Sequence, residues 1–444
     1  MIAGRVFRPV DSSQLIVFRI LFGLILSLEG FGAILTGWVR RVFVEPEFTF
    51  KIPGFVWLEP PPGAAMYGLY IALGVLGLCV MLGFYFRLTL SSYLVLWTWA
   101  YLTQTASYNN HYYLLILICF LLLLTPANTW ASFDVRRRPE LRRLDCPRWC
   151  VTIFIVQIAI VYVYAGMAKI YPDWLEGRPV RLWFSARADT ALLGPLFQQE
   201  WFVWAVTYGG ILFDLLIVPA LLWRRTRFAA FLVSIGFHLF NSVTFRIGTF
   251  PYLALAFSFF FFAPRIARRL LRRPAFAGAT EGQVASSRSP RERVVLVALA
   301  LYFVVQIALP LRHWLYPGQV YWNEDGHRMS WRMMTRHKQG YVTFRLHDPE
   351  SGRTWNVRPG DRLSQKQARR IGSRPDMIWQ FAQRLAAESR AAGEVVEIRA
   401  RGMVSLNGRT LQPLVDPEVD LASTRWNLVA PTEWIVPLRN RNPP

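Results

Sequence analysis

Nine long runs of apolar residues follow one another through the first 311 residues, and they constrain the fold more than any other feature of the sequence. A run of about 20 such residues, wound as an α-helix, matches the thickness of the hydrocarbon core of a bilayer. Helices are expected because backbone amides inside lipid must be satisfied within the protein. We therefore predict an all-α polytopic bundle of about nine transmembrane helices, at residues 13–37, 64–86, 88–106, 111–127, 149–169, 201–223, 227–246, 249–264 and 293–311.

Basic residues are grouped in short segments between these apolar runs, above all at residues 128–148 and 265–293. The net charge of +22 would suggest a nucleic-acid partner in a soluble protein, but apolar residues make up 53% of this chain. The grouping is typical of the positive-inside pattern, so we expect membrane lipid as a partner and no nucleic acid. It places the N-terminus in the cytoplasm, and nine spans then put the C-terminus outside.

From Arg312 onwards the composition changes, and a small α+β extramembrane domain is predicted. YVTFRLHD and RTWNVRP, separated by PESG, predict a β-hairpin, and PDMIWQFAQRLAAESRAAG has helical periodicity. Asn407-Gly408 is a type I′ turn signal between two further strands. We divide the chain into a transmembrane domain, 1–311, and an extracytoplasmic α+β domain, 312–444. The small, polar residues at 274–292 are typical of a flexible linker.

Polar groups from separate spans are predicted to meet in the outer half of the bundle. Lys169 stands at the end of the fifth run, and the Asn109-Asn110-His111 turn opens the fourth. His238 and Asn241 are three residues apart in the seventh run, so they share one face of a helix. Clustered ionisable groups inside a membrane indicate a functional site.

Each of these residues also has an ordinary structural interpretation, and the residue types alone leave both open. Lys169 is either a base or an anchor whose ammonium reaches the headgroups. The two asparagines are either ligand-binding groups or a helix cap, and a lone His238 is often a satisfied core residue.

Proton chemistry on a lipid-soluble substrate is the function that these residues favour. A desolvated lysine can act as a base, and Asn and His donors can stabilise an oxyanion. The histidines form no HxxxH pair, and Cys146 and Cys150 have no further histidine or cysteine nearby, so we expect no metal. No Walker, GxSxG or dinucleotide-binding pattern is present.

Six blocks of sequence, in order, resemble the vitamin K-dependent gamma-glutamyl carboxylases and their bacterial relatives with the same HTTM-type transmembrane region. They span nearly the whole chain, which makes the resemblance more specific than any single block. The blocks are NNHYYL at 109–114, AGMAKIYPDWLEG at 165–177, FHLFNSVTFRIGTFPY at 237–252, LPLRH at 309–313, SWRMM at 330–334 and VSLNGRTLQPLVDPEVDLA at 404–422.

The resemblance implies a coupled reaction of the carbon-carbon lyase class. A lysine matching Lys169 deprotonates vitamin K hydroquinone, O2 adds, and the resulting base removes a proton from the γ-carbon of a glutamate. CO2 captures that carbon, and vitamin K epoxide is released. The implied partners are therefore a lipid-soluble quinone and a glutamate-containing protein or peptide, and the implied location is a bacterial inner membrane.

The resemblance also implies that residues 1–311 are the quinone-binding catalytic domain, and it implies roles for individual residues. His327 stands where the animal enzymes carry a tyrosine, shortly before the SWxMM motif. The expected catalytic residues are Lys169, His111, Asn110 and His313, and the expected quinone-binding residues are Asn109, His238, Asn241, His327 and Trp331.

A quinone-binding membrane protein, or a hydroquinone epoxidase without glutamate carboxylation, is the alternative function. A binding protein would tolerate Lys169→Met, whereas a catalyst would not. A transporter is disfavoured because the first half of the chain has no obvious repeat in the second.

Overall fold

Helices form at all nine apolar runs in a computed structural model, which describes residues 2–191, 193–276 and 290–439. The α-helices are α1 Ile2–Phe7, α2 Ser13–Leu35, α3 Ala64–Leu82, α4 Phe86–Leu102, α5 Asn110–Leu123, α6 Phe133–Arg137, α7 Trp149–Met167, α8 Pro172–Leu175, α9 Arg178–Ser185, α10 Gly194–Phe197, α11 Glu200–Leu222, α12 Arg227–Phe245, α13 Phe250–Phe257, α14 Pro264–Leu270, α15 Pro290–Leu311, α16 Val320–Asn323, α17 Gln365–Ile371 and α18 Pro375–Ala391. The strands are β1 Pro9–Asp11, β2 Asp145–Pro147, β3 Lys338–His347, β4 Thr354–Val357, β5 Glu397–Leu406 and β6 Gln412–Pro413.

Six of the described helices, α2, α3, α7, α11, α12 and α15, are long and apolar enough to cross a membrane. A seventh span results if Phe250–Phe260 and α14 are counted together across their bend of 111°. The helices α4 and α5 contain only 17 and 14 residues, fewer than the roughly 20 that a span needs. The protein is thus a mostly helical membrane protein, but the predicted count of nine spans is not confirmed.

Glycines allow α2 and α3 to pack against each other at very short distance. A Cβ added to Gly30 would lie 2.8 Å from the Cα of Gly74, and one added to Gly77 would lie 2.7 Å from the Cα of Ser27. Small residues at such positions let helix backbones approach in a membrane, where no hydrophobic effect drives helices together. This contact joins the first two long helices of the bundle.

A four-stranded antiparallel sheet, in the order β4-β3-β5-β6, forms the centre of the C-terminal region. Alternate β3 residues such as Phe344 are buried against α17 and α18; the Phe344 and Phe381 rings lie 5.1 Å apart. The predicted hairpin and helix are confirmed. Asn407 and Gly408 have φ of +53° and +78°, the left-handed values that the predicted type I′ turn requires.

The predicted linker at 274–292 lies largely outside the described residues. Helix α15 begins at Pro290, so the last three residues of the predicted linker are helical.

Loops at one end of the bundle bind the C-terminal region directly. Gln380 in α18 accepts a hydrogen bond from Lys51 N at 2.8 Å and donates one to Lys51 O at 2.9 Å. In the segment after α7, the buried Asp173 receives Arg409 Nη2 at 2.6 Å. The loops after α2 and α7 therefore lie on the same side of the bundle as the sheet.

Candidate active site

A buried ion pair stands where α7 ends. Lys169 Nζ lies 2.5 Å from Asp214 Oδ2 in α11 and donates a second hydrogen bond to Ala165 O at 3.1 Å. The two charged side chains are only 9% and 7% exposed. The ammonium is paired inside the protein rather than extended towards headgroups, which removes the interpretation of Lys169 as an anchor. Its place after the last turn of α7 is one that a helix dipole favours for a cation.

Asp214 belongs to this site but was not predicted from the sequence. It lies in the middle of α11, whose 23 residues include only one other ionisable carboxylate, Glu200 at the first position. A carboxylate inside a membrane helix needs a partner, so a single Asp in the middle of this apolar helix could have indicated a site residue.

A cavity of about 90 Å³ opens beside this pair, between α7, α11, α12 and the segment that follows α15. Three of the predicted site residues, Lys169, His238 and Asn241, line it. The other walls are apolar or aromatic and include Trp174, Trp183, Phe237, Phe245, Phe250, Met333 and Met334. A few polar groups on an apolar wall are typical of a small-molecule site.

His238 is held in place from several sides. Its Nε2 lies 2.8 Å from the hydroxyl oxygen of Tyr162 in α7. The rings of Phe213, Phe237 and Phe250 contact the imidazole edge-to-face, with centroids 5.6, 5.4 and 5.9 Å away. This packing fixes the imidazole, and the tyrosine occupies only one of its nitrogens.

The Asn109-Asn110-His111 turn lies beside the cavity. His111 is buried, and its Nε2 would lie 3.3 Å from a Cβ added to Gly248, the neighbour of the lining residue Ile247. Asn109 is the N-cap of α5, with Oδ1 accepting from the amide of Tyr112 at 2.9 Å. The cap interpretation therefore applies to Asn109.

Asn110 and His313 belong to hydrogen-bonded networks at the junction with the C-terminal region. Asn110 Oδ1 accepts from the Tyr108 hydroxyl at 2.9 Å, and that hydroxyl accepts from Met329 N at 2.6 Å. His313 Nδ1 lies 2.9 Å from Pro310 O, which can only accept, so Nδ1 carries the proton. The other nitrogen, Nε2, is thus an acceptor.

Arg332 links His313 to the end of α7. Its Nη2 donates to His313 Nε2 at 2.7 Å, and its Nη1 donates to the Tyr321 hydroxyl at 2.7 Å. That hydroxyl donates to the carbonyl of Ala168. A chain of hydrogen bonds therefore joins His313 to the residue immediately before Lys169.

Trp331 is fully buried in the bundle rather than in the cavity wall, and it stacks on Tyr113 with centroids 5.3 Å apart. Its backbone has φ of +59°, a left-handed conformation rarely adopted by a tryptophan. The two residues that follow Arg332 in this motif, Met333 and Met334, are the ones that reach the cavity.

His327 lies in a buried, mainly cationic cluster at the start of β3. Arg336 Nη2 binds Glu324 at 2.6 Å, and Lys338 Nζ lies 3.5 Å from the same carboxylate. Burial alone would raise the pKa of Glu324, but Arg336, Lys338 and Arg374 hold it well below its usual range. Burial, and then Arg336, lower the pKa of His327 well below its usual value, so this imidazole is neutral.

Comparison with known families gives two matches along the chain. The HTTM domain matches residues 7–265, more than half of the chain, and the lumenal domain of vitamin K-dependent gamma-carboxylase matches residues 291–441. The chain belongs to the vitamin K-dependent gamma-carboxylase family. This confirms the resemblance found in the sequence, and no solved structure matches the chain.

Membership of the gamma-carboxylase family implies a vitamin K cofactor and a glutamate-containing substrate. The cavity of this gamma-carboxylase-family protein is built from both matched regions: Lys169, Asp214 and His238 come from the first, and Met333 and Met334 from the second. Among the residues that the structure describes, no group of three or more His, Cys, Asp or Glu side chains is placed to hold a metal ion.

Proposed function

We propose that this protein is a vitamin K-dependent gamma-carboxylase, which converts vitamin K hydroquinone to the epoxide and carboxylates protein glutamate at the γ-carbon. The observation that carries the proposal is the buried Lys169–Asp214 pair, which faces an apolar cavity in a member of this family. When bound, reduced vitamin K supplies, with O2, the strong base that removes the γ-proton, and CO2 then adds to that carbon.

The residues around the cavity fit a flat aromatic ring system. Trp174, Trp183 and Phe250 offer ring faces and edges, and Lys169 and His238 offer polar contacts for its oxygens. The volume of about 90 Å³ is below the roughly 300–1,000 Å³ of most small-molecule sites. Ring entry thus requires side chains to rotate, and the flexible Met333 and Met334 are suited to this.

Lys169 and Asp214 work as a unit in this proposal. Passage of a proton from Nζ to Oδ2, across 2.5 Å, leaves a neutral amine that can take the proton of a hydroquinone hydroxyl. The surrounding apolar walls exclude water, which would otherwise quench a strong base. His238 can accept from Tyr162 and donate into the cavity through its second nitrogen.

In this proposal His111 and Asn110 border the quinone site next to Gly248, and Asn109 positions them by capping α5. His313, held neutral by Arg332, faces the route of the glutamate side chain in this proposal. The cationic cluster around His327 supplies positive charge for the carboxylate group that arrives there.

A topology of nine spans belongs to the same proposal, with the N-terminus in the bacterial cytoplasm and residues 312–444 outside. It is supported by the binding of the C-terminal region to loops after the first and fifth predicted spans, which requires an even number of crossings between them.

The test is conversion of reduced vitamin K to epoxide by purified protein, with a glutamate peptide and labelled bicarbonate present. We expect both epoxide and fixed label, and both are lost in Lys169→Met. Lys51→Met is the matched control, because Lys51 is also buried and paired, at 2.8 Å to Glu59, but lies outside the cavity. Epoxide without label would indicate an epoxidase alone, and neither product would indicate a quinone-binding protein.

A further inference from the structure

One face of the C-terminal sheet is left uncovered. Helices α17 and α18 cover the opposite face, while a groove of about 770 Å³ follows the open one. Tyr341, Thr343 and Arg345 alternate along β3 and point into this groove, and Met403 and Arg401 of β5 stand opposite Tyr341 and Thr343. The open face is thus a continuous surface shared by the two longest strands.

Two arginines of this face have no carboxylate partner among the described residues. Arg345 and Arg401 are both exposed, and they lie on neighbouring strands two positions out of register, because Arg401 pairs with Thr343 and Arg345 pairs with Arg399. The adjacent Arg399, in contrast, lies 3.3 Å from Glu397 and 3.4 Å from Glu418. Unpaired arginines beside an apolar strip are typical of a surface that recognises carboxylates.

Next to Thr343 and Arg401 along the same face, the surface becomes aromatic and apolar. Tyr341 is 60% exposed, and it faces Met403 directly across the strand pair. A groove of this shape accepts an extended chain that places acidic side chains on the arginines and an apolar one on Tyr341.

We propose that this groove docks an acidic, extended segment of the protein substrate. The identity of the substrate rests on the proposed function, whereas the place where it binds is inferred from the groove itself. Charge complementarity selects this occupant, because the face presents only positive unpaired charge on a chain whose net charge is +22.

The groove lies close to the cavity along the chain. Strand β3 begins at Lys338, four residues after the cavity-lining Met334, and Tyr341 is three residues further on. Seven extended residues span at most about 25 Å. A segment docked on β3 can therefore deliver a neighbouring glutamate to the cavity through a short tether, which raises its effective concentration there.

The test is fluorescence anisotropy with the full chain in detergent and a labelled, extended peptide that carries four glutamates and one phenylalanine. We expect Arg345→Glu combined with Arg401→Glu to weaken binding at least tenfold. The matched control, Arg369→Glu combined with Arg390→Glu, makes the same change of charge on α17 and α18 and should bind as the wild type does. Added salt should weaken binding, and the same peptide with glutamines should not bind.

Equal binding by the two double variants, or no binding by the wild type, would overturn the proposal. A second experiment adds anionic phospholipid in mixed micelles. If Arg345 and Arg401 bind the lipid and the peptide does not bind, the open face is a membrane-binding surface and the docking proposal is overturned. Epoxide formation and carboxylation of a saturating free glutamate tripeptide should be unchanged in the groove variant. If no form of the protein makes epoxide while the peptide still binds the groove, the enzyme proposal fails and the docking surface stands.

Discussion

Lys169 and Asp214 show how a membrane helix tolerates charge: each is buried only because the other lies within ion-pair distance. Neither is close to the other in sequence, since 45 residues separate them. Lys169 was predicted because it ends an apolar run beside other polar groups. Asp214 was not, because no local pattern states which face of α11 packs against α7.

Replacing Asp214 with Asn should lower kcat for epoxide formation by about 10²-fold, because the amide cannot take the proton of Lys169. The measurement is the initial rate at saturating reduced vitamin K. Glu200→Gln in the same helix is the control, because Glu200 is exposed and binds Arg181 at the surface.

The double variant Lys169→Met with Asp214→Asn decides whether the two act as a unit. We expect it to be no slower than the worse single variant, since the pair is already lost in either. A multiplicative loss would contradict the shared proton.

Lys338 gives the C-terminal region a dependence on pH. Burial lowers its pKa to about 7, against 10.5 for an ordinary lysine, so the folded state binds fewer protons than the unfolded state between these values. The free energy of unfolding should therefore rise as pH rises from about 7 to 10. Below pH 7 the destabilisation caused by burying the charged form of Lys338 is fully present.

Thermal unfolding of wild type and Lys338→Gln across that pH range is the measurement. We expect a shallower rise in Tm in the variant, which keeps a donor for the Trp322 carbonyl that Lys338 binds at 2.5 Å. Arg390→Gln, an exposed change in α18, should leave the slope unaltered. Identical slopes for wild type and Lys338→Gln would show that another group titrates.

At the scale of elements, the turn between α12 and α13 positions His111 against the cavity. Gly248 in this turn has φ of +78°, and a Cβ there would meet the imidazole at 3.3 Å. Gly248→Ala should therefore cost about 1–2 kcal/mol and raise KM for reduced vitamin K more than it lowers kcat. Steady-state kinetics and a melting curve check both.

Gly236→Ala is the control for that change, because nothing lies within 4 Å of the added carbon inside α12. It should melt at or slightly above the wild-type temperature, since alanine is the better helix former. An unchanged KM in Gly248→Ala would argue that His111 does not shape the quinone site.

Much of the element pattern was predictable, for reasons that the residues make plain. Apolar runs long enough for lipid gave the helices, and Asn407-Gly408 gave a hairpin because few other pairs accept two left-handed conformations. The helix ends were less predictable: the predicted run at 64–86 stops at Leu82 because Gly83 turns left-handed. The placement of Trp331 in the bundle was not predictable, since it depends on three residues at positive φ between 329 and 334, namely Met329, Trp331 and Met334.

For the whole molecule, Asp173 is a buried link between the bundle and the sheet. It is 2% exposed and holds both Arg409 and Asn407. Asp173→Ala should destabilise the protein by about 3 kcal/mol, because it removes a buried carboxylate that both Arg409 and Asn407 bind. The midpoint of denaturant unfolding measures this.

Arg353→Ala is the comparison for the Asp173 variant, since Arg353 is 60% exposed where it meets Glu394. Its cost should stay below about 1 kcal/mol. Equal costs for the two variants would show that the sheet is held to the bundle mainly by other contacts.

The cavity draws its walls from distant parts of the chain, and this has a consequence for biosynthesis. Tyr162 and Lys169 leave the ribosome early, whereas Met333 and Met334 follow more than 160 residues later. Until those methionines are made and in place, the cavity lacks one of its walls. In the proposed function, an incomplete chain therefore cannot enclose the reaction, and no strong base forms before the protein that contains it is complete.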